Sequence, residues 1–397
     1  MTRKKGHYGA GSIDKSGENS WRLRYRINGK RFTKVVEGTK TEAAKELRSL
    51  LHSGDIGAHV APDKITLGQW IEQWVAAGAP NGRKRKKAAR TIERYDELLQ
   101  CHVVPTLGDT QLQKLSSVDI DNLYTKLTGT MAERTLHHVH TVLGANLRQA
   151  IRKKLIAISP MESADVPEVG ESDHGMVLDE TQLAKLVKDF KRSPLYPIVA
   201  VAAFTGARLR EILALRWTDL SFEKKTLTIS RAIEEIKKQK RGTKVPNTER
   251  GHRAIEIDGG LIELLTAEHD KYLRLVAGIS DDAKDVDLSL IKLPDDALMF
   301  PGGDRTNLTK LRDGRAVSRR FKARVRKLGF PELRFHDLRG SHETILLDRG
   351  VPVHVVAARC GHDPAVLLRI YAKRTKTADS AAAEVISTLS AGILGGK

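Results

Sequence analysis

The segment from His336 to Tyr371 constrains this chain more than any other. His336-Asp337-Leu338-Arg339 is followed by Gly361-His362 and then by Tyr371. Far upstream, Thr205-Gly206-Ala207-Arg208-Leu209-Arg210-Glu211 supplies a second arginine at the mouth of an apolar stretch. His336 and Arg339, three apart, share one face of a helix. A fold that uses these groups together must gather two guanidinium groups, two imidazoles and a phenol from segments distant in sequence. That requires one packed unit reaching from about residue 175 to the end.

The set suits attack on a phosphodiester. Such an attack adds negative charge to the non-bridging oxygens. Guanidinium forks match those oxygens in shape and stay charged at cellular pH. Arg208 and Arg339 are therefore candidates for stabilising a pentavalent transition state by preorganised electrostatics. A phenol, with an ordinary pKa of about 10, is a weak nucleophile at neutral pH. Tyr371 is the candidate nucleophile, His336 the candidate to help remove its proton, and His362 the candidate hydrogen-bonding partner of the phosphate. A covalent phosphotyrosine conserves bond energy, so rejoining needs no ATP. No carboxylate cluster suggests a catalytic metal, and no cofactor is expected. Each residue also has a plainer reading: an Arg208–Glu211 ion pair, a helix-capping His336, a core His362, a half-buried core Tyr371. Their joint order argues against taking all the plain readings together. His342, His174 and His252 are assigned structural roles.

Composition narrows the partner. The 397 residues suggest two or three domains. A formal net charge of +19 points to a polyanion, because basic side chains displace counterions condensed on phosphates. Charge alone does not separate nucleic acid from an anionic membrane surface; no apolar run is long enough to span a bilayer, and no membrane partner is expected. The start, Met1 to Gly6, lacks the apolar run of a secretory signal. Cys101 and Cys360 are the only cysteines, which fits a reducing compartment such as the cytoplasm and excludes a disulfide framework.

Three segments follow from the pattern. Residues 1–60 carry 13 Lys/Arg against 6 Asp/Glu. Within them Trp21-Arg22-Leu23-Arg24-Tyr25-Arg26 alternates strictly, placing the aromatic and leucine side chains on one strand face and the arginines on the other. Asn28-Gly29 reads as a hairpin turn before Arg31–Val36, and residues 39–51 as a helix capped by Thr41. Arg22, Arg24 and Arg26 are candidate DNA contacts in the major groove. Residues 65–165 read as wholly helical, with a basic turn whose Arg83, Lys84 and Arg85 are candidates for the phosphate backbone. Residues 160–172 read as a linker. Residues 175–397 read as mainly helical, with one long helical stretch from Leu195 to Leu215. Strands at 226–229 and 254–257 pair around a Lys/Arg-rich loop, and residues 281–287 form an acidic surface loop. The fold class is a multidomain α+β chain: a small three-stranded sheet with a helix, an all-helical domain, then a mainly helical domain with a small antiparallel sheet.

These motifs resemble the tyrosine recombinase family, and within it the phage-type integrases. The resemblance covers the whole chain and is strongest at residues 200–215 and 335–372. Thr205 to Trp217 resembles the family's first arginine motif, His336 to Arg339 its His-x-x-Arg, and Gly361-His362 its Gly-His, with Tyr371 at the family's distance beyond. Gly340 and Cys360 depart from the family's usual His and Leu without removing chemistry. The resemblance implies an arm-site DNA-binding module at 1–60, a core-site DNA-binding domain at 65–165 and a catalytic domain at 175–397. It implies site-specific integration or excision of a mobile element through a 3′-phosphotyrosine. The implied partners are double-stranded DNA carrying core and arm attachment sites, a homotetramer on that DNA, and an excisionase or DNA-bending accessory protein in a bacterial cytoplasm. The tail from Ala372, with an apolar segment at 381–393, would dock on a neighbouring protomer. The family also places a lysine on a strand hairpin as the acid for the departing 5′-oxygen. Here the corresponding string is Pro246-Asn247-Thr248, and asparagine cannot act as that acid. Lys244, on the loop just before it, is the nearest substitute; Lys240 and Arg250 are further ones. Asn247 keeps open a catalytically weakened, recombinase-derived DNA-binding regulator, and the shared chemistry keeps open a type IB topoisomerase.

Overall fold

The computed structural model describes residues 11–27, 29–55, 60–82, 87–168, 170, 175–234, 242–244, 251–280, 283, 286–303, 307–372 and 387. The chain divides into two compact units, Met1–Ser172 and Asp173–Lys397.

The first unit opens with strands β1 (Ser12–Gly17), β2 (Ser20–Ile27) and β3 (Lys30–Glu37), paired antiparallel in that order, and helix α1 (Lys40–Asp55). Leu23, Tyr25 and Ile27 are buried with Ala43 and Leu47 of α1. Arg22, Arg24 and Arg26 occupy the opposite, exposed face, as the alternation predicts. Arg26 lies directly opposite Arg31 in the register, a like-charge pairing that weakens an isolated sheet. The expected cap at Thr41 is incorrect. Thr39 starts α1, because its hydroxyl accepts from the Glu42 amide (3.3 Å) while the Glu42 carboxylate accepts from the Thr39 amide (2.7 Å). This reciprocal pairing needs a carboxylate three residues after the hydroxyl, which Thr41 lacks.

A second apolar core in this unit belongs to helices α2 (Leu67–Ala76), α3 (Ala89–His102), α4 (Val104–Leu107), α5 (Ser117–Leu127) and α6 (Glu133–Arg152). Trp70 and Trp74, one turn apart on α2, are buried in it. The Trp74 indole N–H donates to the Pro80 carbonyl at 2.9 Å, so the ring's one polar atom is satisfied. Arg83, Lys84 and Arg85 lie outside the described residues. Part of the 160–172 linker is a short 3₁₀ turn, Pro160–Glu162, capped by Ser159.

The second unit is built around helix α8 (Tyr196–Thr205), buried from Pro197 to Ala203. Around it pack α7 (Glu180–Phe190), α10 (Gly259–Ala277) and α12 (Asp337–Asp348). The expected continuous helix from Leu195 to Leu215 is interrupted. Gly206 takes a left-handed conformation (φ 65°) that ends α8, and a short helix α9 (Leu209–Ile212) starts after Arg208. Strands β4 (Leu220–Ser221), β5 (Thr226–Ile229) and β8 (Arg253–Glu256) form one antiparallel sheet. The connection between β5 and β8 is more than a loop. It contains β6 (Ala232–Glu234) and β7 (Gly242–Lys244), a second hairpin in which Lys244 pairs with Ala232. Lys244 therefore sits on a strand rather than the expected loop, because β-branched Ile233 and Thr243 meet across this pair. Helices α11 (Gly314–Lys327), α13 (Val353–Cys360) and α14 (Pro364–Ala372) complete the unit. The apolar tail segment at 381–393, apart from Ser387, and most of the 281–287 loop fall outside the described residues.

Candidate active site

Two helix ends create the site. Gly206 ends α8 and Gly361 (φ 68°) ends α13, both left-handed. Left-handed caps leave carbonyls directed away from their helices, where other donors can reach them. Arg208 Nη2 donates to the Gly361 carbonyl at 3.2 Å, and Arg339 Nη1 donates to the Gly206 carbonyl at 2.8 Å. Arg208 is thus pinned to the Gly-His motif, and Arg339 of the His-x-x-Arg motif to the glycine of the first arginine motif. A Cβ added at Gly206 would lie 2.8 Å from both Cys360 Sγ and His342 Cδ2, so the two segments approach as closely as glycine allows.

Arg208 stands at the N-cap of α9, and its side chain is 38% exposed. Its Nη1 pairs with Glu211 Oε1 at 2.9 Å, so the plain ion-pair reading of Arg208 also holds. Glu211 is buried and shared: its other oxygen meets Arg253 Nη2 at 2.9 Å. Burial would raise the Glu211 carboxyl, but the hydrogen bond and charge of Arg253, followed by those of Arg208, outweigh it and hold the group ionised. Arg253 was not anticipated. A signal was present, because alternation in β8 puts Arg253 on the same inward face as Ile255.

Arg339 is 2% exposed. Its Nε lies 3.0 Å from Glu343 Oε1, one turn along α12. Among the described residues its Nη2 has no hydrogen-bond partner. The same Glu343 oxygen is 3.2 Å from His362 Nδ1. Neither approach has hydrogen-bond alignment, and of the two only that of Arg339 joins opposite charges at pH 7. His362 is held far below the ordinary imidazole range, to about 3, by burial and then by Arg339, Arg208 and their neighbours. His336, at the N-terminus of α12, is also lowered, by burial first and by Arg339 next, with Asp337 opposing. Both rings are therefore neutral at pH 7. His342, assigned a structural role, has one: its Nδ1 faces the Ala203 carbonyl at 2.9 Å and its Nε2 accepts from Arg359 at 3.3 Å. Cys360 is buried, and its thiol is pushed up to about 12, which removes it as a nucleophile.

Arg208, His336 and Arg339 open onto a cavity of about 710 Å³. Its far wall is α11, where Arg315, Arg319 and Lys322 recur at helical spacing on one face. None of the described lining residues is acidic. This basic face was missed, although its spacing is plain in the sequence. Tyr371 is the penultimate residue of α14 and Lys244 the last of β7; the side chains of both lie outside the described residues, as do Lys240, Asn247 and Arg250. Arg22, Arg24 and Arg26 belong to the first unit. Among the described residues no group of three or more His, Cys, Asp or Glu could hold a metal ion, and no helix is long and apolar enough to cross a membrane.

Comparison with known proteins agrees with this geometry. Residues 176–378 match the phage integrase family, and residues 66–128 match the phage integrase N-terminal SAM-like domain. An integrase of Streptomyces ambofaciens is 27% identical over 360 residues, covering 88% of this chain and 87% of that protein. Among solved structures, the Tn1549 transposon integrase in complex with a circular intermediate DNA has a TM-score of 0.63 at 17% identity, covering 82% of this chain and 99% of that one. A lambda integrase tetramer bound to a Holliday junction has a TM-score of 0.52 at 15% identity, covering 88% and 95%. At these identities the structural matches speak for the fold. With the catalytic-domain match spanning more than half of its length, the chain belongs to the phage integrase family and is a tyrosine recombinase.

Proposed function

We propose that this protein is a site-specific DNA recombinase that integrates or excises a mobile element through a 3′-phosphotyrosine. The observation that carries this reading is the cationic cavity, with no acid among its described lining residues, onto which Arg208, His336 and Arg339 open. Cleavage would begin with the Tyr371 oxygen attacking the scissile phosphorus. The phenolic proton passes to His336, whose neutral ring can accept it. As the new O–P bond forms, charge grows on the non-bridging oxygens, and the two pinned guanidinium groups meet it without reorganising. The bond from phosphorus to the 5′-oxygen breaks, and Lys244 is the candidate that protonates that oxygen. His362 supplies a further contact to the phosphate. Rejoining reverses these steps with the 5′-hydroxyl of a partner strand, so energy is conserved and no nucleotide is consumed.

The remaining parts fit one task. Arg22, Arg24 and Arg26 form a cationic strand face suited to arm-type sites, and the helical domain with its turn at Arg83, Lys84 and Arg85 suits the core site. Two modules on one chain hold two DNA sites at raised effective concentration. Two rounds of strand exchange require four active sites, hence a homotetramer on DNA, with an excisionase or DNA-bending protein setting direction. The test uses two plasmids with the element's attachment sites, beside a supercoiled plasmid lacking them. Recombinant product from the pair, with the lone plasmid left supercoiled, supports the reading. Relaxation of the plasmid that lacks sites would instead mark a topoisomerase.

A further inference from the structure

Glu343 has no part in the steps above, yet it is 4% exposed in the interior of the site. A buried carboxylate is costly unless cations hold it. Glu211 already serves Arg208 and Arg253, whereas Glu343 faces Arg339 and His362. The Arg339 guanidinium is held on two sides: by the charge of Glu343, whose Oε1 lies 3.0 Å from Nε, and by the hydrogen bond from Nη1 to the Gly206 carbonyl at 2.8 Å. Its Nη2 is buried and has no partner among the described residues. A planar fork anchored twice has little freedom left, so the orientation of its third nitrogen is set by the two anchors.

We propose that Glu343 is a positioning residue for strand cleavage, holding Arg339 and the His362 ring from behind so that Arg339 Nη2 is left for a non-bridging oxygen of the scissile phosphate. This rests on the recombinase reading above. Arg339 would touch the phosphate; Glu343 would act only through it.

The experiment is single-turnover cleavage of a nicked suicide duplex by the full chain, with either a phosphodiester or a methylphosphonate at the scissile position. The methylphosphonate replaces one non-bridging oxygen by methyl and removes the charge that a guanidinium answers. Glu343→Gln should slow phosphodiester cleavage by about 10- to 100-fold, the scale of a small misplacement of a catalytic group. It should slow methylphosphonate cleavage by less than about threefold and leave DNA affinity unchanged. In an Arg339→Lys background it should add nothing, because the geometry it protects is already lost. If Gln does not fold, Glu343→Asp, which keeps the charge but withdraws it by one methylene, should show the same substrate-selective loss to a smaller degree. Equal slowing on both substrates, or full additivity with Arg339→Lys, would mean a general structural role and overturn the proposal. A wild-type chain that forms no adduct on the phosphodiester would overturn this proposal together with the reading beneath it.

Discussion

Arg208 and Gly361 are joined by a hydrogen bond from Nη2 to the glycine carbonyl (3.2 Å), and Arg339 Nη1 makes a second such bond to the Gly206 carbonyl (2.8 Å). The first arginine motif is thereby locked to the Gly-His and His-x-x-Arg motifs through backbone acceptors. Backbone acceptors cannot rotate away, so each guanidinium is placed before any DNA arrives. Such preorganisation is the condition under which electrostatic stabilisation of a transition state is most effective.

Gly206→Ala should therefore damage both stability and cleavage. The left-handed φ and the 2.8 Å approach to Cys360 and His342 leave no room for a methyl group. We expect a loss of about 1–3 kcal/mol in denaturant unfolding, with a fall in cleavage larger than the unfolded fraction explains. Wild-type cleavage in a normally stable alanine variant would show that the lock is dispensable.

His336 sets a pH limit. Burial and the charge of Arg339 hold its ring below the ordinary imidazole range, so its basic form persists at mildly acidic pH. The acidic limb of the cleavage rate should fall below pH ~6.5, the unperturbed histidine value, and His336→Gln should abolish that limb while lowering the rate. A limb centred above pH ~7 would exclude His336 as the group observed.

Stability should also depend on pH, with a defined sign. The folded state holds His342 neutral down to about pH 4 and His362 to about pH 3. The unfolded chain takes up these protons near pH ~6.5. Below that value the unfolded state binds more protons, so stability falls as pH drops from ~6.5 toward the folded values, and it is fully present above ~6.5. For His342 the loss approaches about 3 kcal/mol at its limit. His342→Phe should be less stable at pH 7, having lost contacts to Ala203 and Arg359, but should show a flatter profile between pH 4 and 6 in urea unfolding. An unchanged slope would assign the dependence to other groups.

The basic face of α11 predicts a salt signature. Arg319 lines the cavity and is exposed. Arg319→Ala should weaken DNA binding uniformly across sequences and reduce the slope of log affinity against log salt by roughly one, as one phosphate contact is lost. An unaltered slope would remove α11 from the DNA-facing wall.

What could be read from the sequence was local. The alternation from Trp21 to Arg26 placed each side chain on its observed face, since strand geometry leaves no other choice. The arginine and histidine motifs named Arg208, His336 and Arg339, which line the cavity, but not the basic residues of its far wall. What stayed hidden was long-range or a matter of competing caps. Arg253 and Glu343 are ordinary charged residues in sequence; alternation in β8 puts Arg253 on the inward face, but only the packing of β8 and α12 shows which group of opposite charge each one meets. Thr39 displaced Thr41 because the decisive acceptor sits three residues on. Helical pattern ran straight through Gly206, although a glycine after an apolar helix is itself a stop signal. The hairpin carrying Lys244 is only three residues per strand, too short for periodicity to reveal.

The most direct test is chemical mapping of the trapped nucleophile. After reaction with a nicked suicide duplex, nuclease and protease digestion followed by mass spectrometry should find a 3′-phosphoryl nucleotide on the peptide containing Tyr371. Tyr371→Phe should bind the duplex with wild-type affinity and yield no adduct. An adduct on another residue, or one that survives the phenylalanine substitution, would contradict the account at its centre.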